Sequence, residues 1–261
     1  MAETQVGTMI RDWRQRRRLS QLELALEAGV STRHLSFVET GRSRPSAEMV
    51  LQLANRLEVP LRERNRLLLA AGYAPRYEAR SLQADPELAR VRDALGRVLA
   101  GHEPFPAFAI DGGWNLVMSN GALDLLLQGV APSLLTPPVN VARLALHPEG
   151  IAPRILNLGE WRGHLLTRLG HQLSVTGDPR LEVLLDELRD YPGPNAEPPT
   201  AAHAVMVQLR LAGPDGELNF FSTMTTFGTA ADVTVSELSV EAFFPADAAT
   251  ARALSAGAPA A

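Results

Sequence analysis

Ser-Gln-Leu-Glu-Leu-Ala-Leu-Glu-Ala-Gly-Val-Ser-Thr-Arg-His-Leu-Ser-Phe-Val-Glu-Thr-Gly-Arg-Ser-Arg-Pro is the sequence of residues 20–45, and this stretch decides the fold of the first part of the chain. It predicts two short helices joined by one tight turn. Ser20 is a favourable N-cap for the first helix, and Glu23 stands where it completes a capping box. Gly29 can adopt the left-handed conformation that ends this helix, and Ser31 can cap the next one.

Two helices this short cannot bury a core alone, so flanking segments are expected to complete a helical bundle. Apolar residues recur at helical spacing in residues 8–18, 46–57 and 61–71, whereas residues 1–7 are predicted to be a frayed start. The pattern therefore predicts an all-α domain of five helices over residues 1–74. Its helix-turn-helix resembles that of the XRE family, which implies a lambda-repressor-like fold and double-stranded DNA as the partner.

The second helix of the motif carries outward-facing residues suited to DNA. Arg33 can bond a guanine edge bidentately, and Thr32 or Ser36 can contact base edges or phosphates. Phe37 can pack on a thymine methyl, or it can lean on the surface of its own domain. The alternative is a helical bundle that binds no nucleic acid, which leaves this exposed chemistry without a role.

Three further residues are predicted to contact the DNA backbone. Gln21 stands at a helix N-terminus, where the matching glutamine of the XRE family holds a phosphate, and Arg42 and Arg44 follow the second helix. The resemblance also implies an ion pair between Arg14 and Glu39. The alternative for that pair is a solvated surface contact worth less than about 1 kcal/mol.

Composition narrows the class of protein. The chain has 261 residues, 46% of them hydrophobic, no cysteine, and only arginine among its 25 Lys+Arg residues. Disulfides, cysteine-held clusters and thiol or Schiff-base catalysis are therefore excluded. The sequence shows no run of eighteen apolar residues and no signal-peptide pattern, so we expect no membrane partner and a cytoplasmic location.

Charge divides the chain unevenly. Residues 1–80 hold 14 arginines and nine acidic residues, whereas the other 181 residues hold 11 arginines and 20 acidic residues. The net charge of −4 conceals this difference. A basic first part on an acidic second part is typical of a DNA-binding module joined to a body that does not touch DNA.

After a predicted linker at residues 75–84, the pattern changes to mixed helix and strand. Residues 105–111 and 114–120 predict a hairpin around Gly112-Gly113. Further helices are predicted at residues 85–100, 120–128, 141–145, 157–175 and 178–189. Three more strands are predicted at residues 203–211, 217–227 and 233–244, the last with Leu238, Val240, Ala242 and Phe244 on one side. These elements predict an α+β domain with an antiparallel sheet over residues 85–247, and an alanine-rich tail at 248–261 that forms a short helix at most.

The second domain resembles the ligand-binding domain of MmyB-like transcription regulators. The resemblance rests on Trp114-Asn-Leu-Val, Leu146-His-Pro-Glu-Gly, Glu160-Trp-Arg, Phe220-Phe-Ser-Thr-Met-Thr-Thr-Phe-Gly228 and Phe243-Phe-Pro-Ala-Asp247. It implies a PAS-like fold, bacterial transcription regulation by a homodimer, and an apolar pocket that can hold a fatty acid. A homodimer of this kind is expected to bind a pseudo-palindromic operator. No cofactor is expected beyond that fatty acid.

Such a pocket needs a long apolar lining and one polar group near its mouth. The candidates for the lining are Phe105, Phe108, Trp114, Trp161, Leu165, Phe220 and Phe227. The candidates for binding a carboxylate are Arg154, Arg162 and His164, because an arginine fork matches a carboxylate bidentately. Each of these residues has a plainer alternative as ordinary core or solvated surface.

An enzyme is not expected, because the sequence shows no Gly-x-Ser-x-Gly elbow and no glycine-rich phosphate loop after a strand. His164 and His171 stand seven residues apart, too far to chelate one metal easily, so no metal is expected. Two other functions stay open. The second domain could serve only dimerisation or partner docking, without a ligand, or the chain could be an antitoxin-like partner of another protein.

Overall fold

The computed structural model describes residues 2–194, 207–214, 216–227 and 232–256. The chain divides into two compact units, one centred on residues 1–80 and one on residues 81–261. Two short segments, 174–177 and 232–236, group with the first unit. Within the described ranges, no helix is both long enough and apolar enough to cross a membrane.

The first unit contains the five predicted helices. They are α1 (Ala2–Arg16), α2 (Gln21–Glu27), α3 (Thr32–Glu39), α4 (Ala47–Arg56) and α5 (Leu61–Ala70). The frayed start predicted at residues 1–7 is wrong, because α1 begins at Ala2 and Val6 is fully buried in the core. Gly7 lies so close to α3 that a Cβ there would stand 2.3 Å from the Val38 carbonyl oxygen.

The predicted capping and turn residues are confirmed. Ser20 Oγ accepts a hydrogen bond from the Glu23 amide at 3.2 Å, and Glu23 Oε2 accepts one from the Ser20 amide at 2.7 Å. Gly29 has φ +63°, the left-handed conformation that ends α2. Ser31 Oγ accepts from the His34 amide at 3.1 Å. These local bonds fix the turn that sets α3 against α2.

The second unit is α+β, as predicted. Its helices are α6 (Ala89–Ala100), α7 (Asp124–Leu127), α8 (Val141–Leu146), α9 (Leu158–Thr176), α10 (Pro179–Asp190) and α12 (Ala248–Ala256), while α11 (Val233–Ser236) groups with the first unit. Its strands are β1 (Ala107–Ile110), β2 (Leu116–Ser119), β3 (Leu209–Gly213), β4 (Gly216–Thr226) and β5 (Ser239–Pro245). All five join one antiparallel sheet in the order β2-β1-β5-β4-β3.

Two of the last three predicted strands need correction. The last strand is not continuous from Val233, because residues 233–236 form α11 and Asp232 caps it by accepting from the Val235 amide at 3.2 Å. The strand predicted at 203–211 is described only from residue 207, and it runs from Leu209 to Gly213. Residues 203–206 lie outside the described part of the chain.

The side chains of β5 alternate between the two faces of the sheet. β5 pairs with β1 along one edge and with β4 along the other, and Val240, Glu241 and Phe243 are all buried. Val240, Ala242 and Phe244 alternate and so share one side of β5, as predicted, while Glu241 and Phe243 lie on the opposite side. Phe243 belongs to the main core cluster, whereas Phe244 stacks on Phe221 with ring centroids 5.2 Å apart.

Candidate DNA-binding surface and ligand cavity

The outward side of α3 presents the residues predicted to contact bases. Arg33 is exposed, and Thr32 and Ser36 are half-exposed. The Arg33 guanidinium lies over the Phe37 ring, with 5.3 Å from Cζ to the ring centroid. A cation over an aromatic face is attracted to it, so Phe37 restricts where Arg33 points. The structure thus brings these four residues together on one helical surface.

The residues predicted to contact the DNA backbone differ in how they are held. Gln21 Nε2 donates to Glu39 Oε2 at 2.8 Å, and since an amide nitrogen carries two donors, one phosphate contact remains within its capacity. Arg44 donates to the Ala71 carbonyl through Nε at 3.1 Å and Nη2 at 2.8 Å. Arg44 therefore braces its own domain, and both Arg42 and Arg44 are exposed.

The ion pair between Arg14 and Glu39 joins α1 to the end of α3. Arg14 Nε donates to Glu39 Oε1 at 2.7 Å and Arg14 Nη2 donates to Oε2 at 2.9 Å. The Glu39 side chain is 0% exposed and that of Arg14 only 11%. The pair implied by the resemblance is confirmed, and its solvated alternative is wrong.

Glu39 stays ionised despite its burial. Burial is the largest single effect and opposes ionisation, but hydrogen bonds from Arg14 and Gln21 and the charges of Arg14 and Arg11 outweigh it, so the pKa of Glu39 is lowered. A lowered carboxyl pKa means that this group stabilises the fold above its ordinary pKa. That contribution is lost as the pH falls through the lowered pKa.

A mostly apolar cavity lies between the sheet and the helices of the second unit. Its described lining consists of fifteen apolar residues and Glu241. Four predicted lining residues are present: Phe108, Trp114, Trp161 and Leu165. The cavity has a volume of about 60 Å³, more than a single buried water requires. An apolar space of this size suits a small hydrophobic group.

A strained turn directs Trp114 into this cavity. Trp114 has φ +65°, a conformation that a residue with a side chain adopts at a cost of order 1–3 kcal/mol. Asp111 Oδ1 holds the turn by accepting from the amides of Gly113 at 2.8 Å and Asn115 at 2.9 Å. The Trp114 indole nitrogen donates to Gln172 Oε1 at 2.7 Å. The predicted strand from Trp114 therefore begins only at Leu116.

Glu241 supplies the only charge among the described residues that line the cavity. Both of its carboxylate oxygens accept from Arg168, each at 3.0 Å. The Arg168 guanidinium also lies over the Trp114 ring, with 4.7 Å from Cζ to the centroid. One wall of the cavity is thus an ordered stack of aromatic ring, guanidinium and carboxylate.

The other predicted ligand-binding residues lie outside the described lining. Phe220 is fully buried in the core against Phe243, Phe105 is half-buried beside His102, and Phe227 is 37% exposed. Neither candidate arginine reaches the cavity, because backbone carbonyls hold both guanidinium groups. Arg154 donates to the carbonyls of Leu125, Leu126, Gln128 and Ala212, and Arg162 to those of Leu188, Arg189 and Tyr191. His164 is close to Trp161, with ring centroids 5.3 Å apart, and is also absent from the lining.

The sequence reasoning missed Arg168 and Glu241. Glu241 interrupts an otherwise apolar strand, Val240-Glu-Ala-Phe-Phe244, and an isolated acid in such a strand was the available signal. Buried charges in proteins are nearly always paired, so an arginine on the covering helix was the partner to look for. Arg168 and the predicted Leu165 both stand on α9.

Comparison with known families agrees with this architecture. A model of the MmyB-like transcription regulator ligand binding domain matches residues 91–256, and a helix-turn-helix model matches residues 10–64. The class of protein is therefore a DNA-binding helix-turn-helix regulator with a ligand-binding domain. The chain belongs to the family of MmyB-like transcription regulators, since that model alone matches more than half of it.

Comparisons with curated proteins and with solved structures reveal no close relative of this chain. No curated protein matches the chain. A solved structure of an RNA-binding light-oxygen-voltage receptor is 14% identical, with a TM-score of 0.28, over 96% of this chain and 60% of that receptor. The chain thus spans less than two thirds of the receptor, and a TM-score this low supports no conclusion about fold or function.

Proposed function

We propose that this chain is a bacterial, cytoplasmic transcription regulator whose DNA binding responds to a small apolar ligand in the cavity of the second unit. A fatty acid is the candidate ligand. The observation that supports this proposal is the cavity itself, because a domain used only for assembly gains no stability from an unfilled apolar space next to its core.

The DNA-reading part of the proposal rests on α3. Arg33, stacked on Phe37 and flanked by Thr32 and Ser36, would enter the major groove, with Gln21 and Arg42 at phosphates. A homodimer would place two such helices about 34 Å apart on a pseudo-palindromic operator. The ligand would shift operator affinity only through a difference in its own affinity for the two arrangements of the dimer.

The size of the cavity limits the ligand. A cavity of about 60 Å³ accepts a short alkyl chain as it stands, whereas a longer fatty acid requires the lining to move. Binding is therefore expected to depend on chain length, with an optimum set by the cavity.

Native mass spectrometry of the purified protein, followed by extraction and lipid analysis, tests the proposal. A mass excess that extracts as a single-chain lipid is expected, and the same spectrum reports whether the chain is a dimer. Thermal stabilisation by fatty acids of eight to sixteen carbons should then show a length optimum.

A cavity-filling variant gives the matched control. Ala145 lines the cavity on α8, whereas Ala100 is exposed at the end of α6. Ala145→Leu should abolish stabilisation by every chain length, and Ala100→Leu should leave it unchanged. A clean mass, with no stabilisation at any chain length, would refute ligand sensing and favour the docking-module alternative.

A further inference from the structure

Phe37 is an apolar ring that the first unit does not use for its core. The described residues that form or pack against that core include Leu35 and Val38 of α3 but not Phe37. The backbone of Phe37 is nevertheless fixed, because its carbonyl accepts hydrogen bonds from the amides of Arg42 at 2.8 Å and Ser43 at 3.1 Å. A half-exposed ring on a fixed backbone is available for contact with a molecule outside the domain.

This ring contacts Arg33, which lies one helical turn before it. The Arg33 Cζ atom lies over the ring, 5.3 Å from its centroid. Within the described part of the chain, the Arg33 guanidinium makes no hydrogen bond and no ion pair. Its N–H donors are therefore open to a base edge while its charge rests against the ring. Arg44 differs, since two of its nitrogens donate to the Ala71 carbonyl of its own domain.

The spacing of Arg33 and Phe37 matches that of neighbouring base pairs. Side chains four residues apart on a helix start about 5–6 Å from each other, and stacked base pairs are about 3.4 Å apart. When Arg33 bonds O6 and N7 of a guanine, a ring that contacts its guanidinium reaches the edge of an adjacent base pair. The apolar group that the major groove presents there is the thymine methyl. Covering the ring with this methyl also removes water from the contact between cation and ring, which strengthens that contact.

We propose that Arg33 and Phe37 act together to select a guanine that has a thymine at the adjacent base pair. Arg33 donates the hydrogen bonds to the guanine, while Phe37 holds the guanidinium in place and packs on the thymine methyl. This inference rests on the proposed function and specifies the DNA sequence that α3 recognises. The two contacts are coupled, so the loss of one weakens the other.

Removal of single methyl groups from the DNA tests the proposal. An operator is selected from random DNA with the full chain, and its affinity is measured by fluorescence anisotropy. Each thymine is then replaced in turn by deoxyuridine, which lacks only the C5 methyl group. At one thymine next to a guanine in each half-site, this change should weaken binding about fourfold, the effect of removing one methyl-sized group from an apolar contact. Thymines outside the half-sites are the control on the DNA and should show no change.

Variants at position 37 separate base recognition from folding. Phe37→Ala should no longer respond to deoxyuridine, and its preference for the guanine over adenine should fall about threefold because Arg33 is no longer held. Phe37→Tyr keeps the ring and should retain both preferences. A merely structural defect would weaken binding to all sequences alike and leave both preferences unchanged. Phe227→Ala removes an exposed ring from the second unit and is the matched control.

The outcomes separate this inference from the proposed function. The inference is wrong, and DNA binding stands, if the half-sites of the selected operator contain no guanine next to a thymine or if no deoxyuridine weakens binding. It is also wrong if Phe37→Ala keeps the wild-type preference for guanine. If the full chain prefers no sequence over scrambled DNA, the DNA-binding part of the proposed function fails and the inference fails with it. Should Phe37→Ala not fold, the response of the wild-type chain to deoxyuridine decides alone.

Discussion

Replacing Arg14 by methionine should loosen the contact between α1 and the recognition helix. Methionine keeps much of the apolar bulk of Arg14 but leaves the fully buried Glu39 without its main partner. Breaking a buried pair by removing one member costs about 3–5 kcal/mol. Gln21 stays bonded at 2.8 Å and Arg11 stays 3.6 Å away, so the loss should fall at the lower end, about 3 kcal/mol. A surface pair would lose less than about 1 kcal/mol.

Hydrogen exchange followed by mass spectrometry measures this loss in the full chain, peptide by peptide. A loss of about 3 kcal/mol should make the protected amides of α1 and α3 exchange more than about a hundredfold faster, since about 1.4 kcal/mol is a factor of ten. Arg189→Met removes an exposed pair with Asp186 and is the control. The double variant Arg14→Met with Glu39→Gln should recover part of the protection, because no buried charge remains. A change below threefold in Arg14→Met would refute the buried-pair argument.

Three further predictions concern DNA contacts by α3, two glycines in α1 and α6, and the pH dependence that Glu39 gives to the first unit. Arg33→Ala should weaken operator binding by about 1–3 kcal/mol and relax specificity at one base pair, whereas Arg42→Ala should weaken binding to all sequences alike. Fluorescence anisotropy on operator and scrambled DNA distinguishes the two effects. Unchanged operator binding by Arg33→Ala would show that α3 is not the recognition helix. Gly7→Ala should destabilise the first unit, because its Cβ would stand 2.3 Å from a carbonyl oxygen. Gly96→Ala on α6 meets no atom within 4 Å and should stabilise its helix by up to about 1 kcal/mol. Calorimetry measures both variants, and equal shifts in melting temperature would contradict the close approach of α1 and α3. Because the pKa of Glu39 lies below its ordinary value of 4.5, the first unit should lose stability as the pH falls from about 4.5 through that lowered pKa. Calorimetry should show this in the unfolding transition that shifts in Arg14→Met, and Glu39→Gln should make that transition less dependent on pH. If the wild type and Glu39→Gln show the same pH dependence, another group causes the acid sensitivity.

The helix-turn-helix could be predicted from sequence because its determinants are local. Ser20, Glu23, Gly29 and Ser31 act within a few residues of their own positions, and each makes the bond or adopts the conformation expected. The start of α1 could not be placed in the same way. Gly7 interrupts the helical pattern, and its presence inside α1 is explained by the approach of α3, which leaves no room for a side chain there.

The ligand cavity was only partly predictable, because its lining depends on contacts between distant segments. Trp114, Trp161 and Leu165 follow from apolar spacing. The inward face of β5 does not, since apolar residues stand on both sides of the strand and the sequence shows no preference between them. The match between an arginine fork and a carboxylate favoured Arg154 or Arg162, whereas the charged residue of the described lining is Glu241. The pairing of Glu241 with Arg168 depends on how α9 packs on the sheet, because 73 residues separate the two in sequence.

The central claim is that occupancy of the cavity changes DNA binding, and operator affinity with and without ligand tests it most directly. An operator is first selected from random DNA by the full chain, and its affinity is then measured by anisotropy with and without saturating 1-decanol, or whichever single-chain lipid copurifies. We predict a change of at least fivefold, abolished in Ala145→Leu and kept in Ala100→Leu. The operator should change ligand affinity by the same factor, because the coupling is reciprocal. An operator affinity that stays constant while calorimetry shows the cavity filled would contradict the claim.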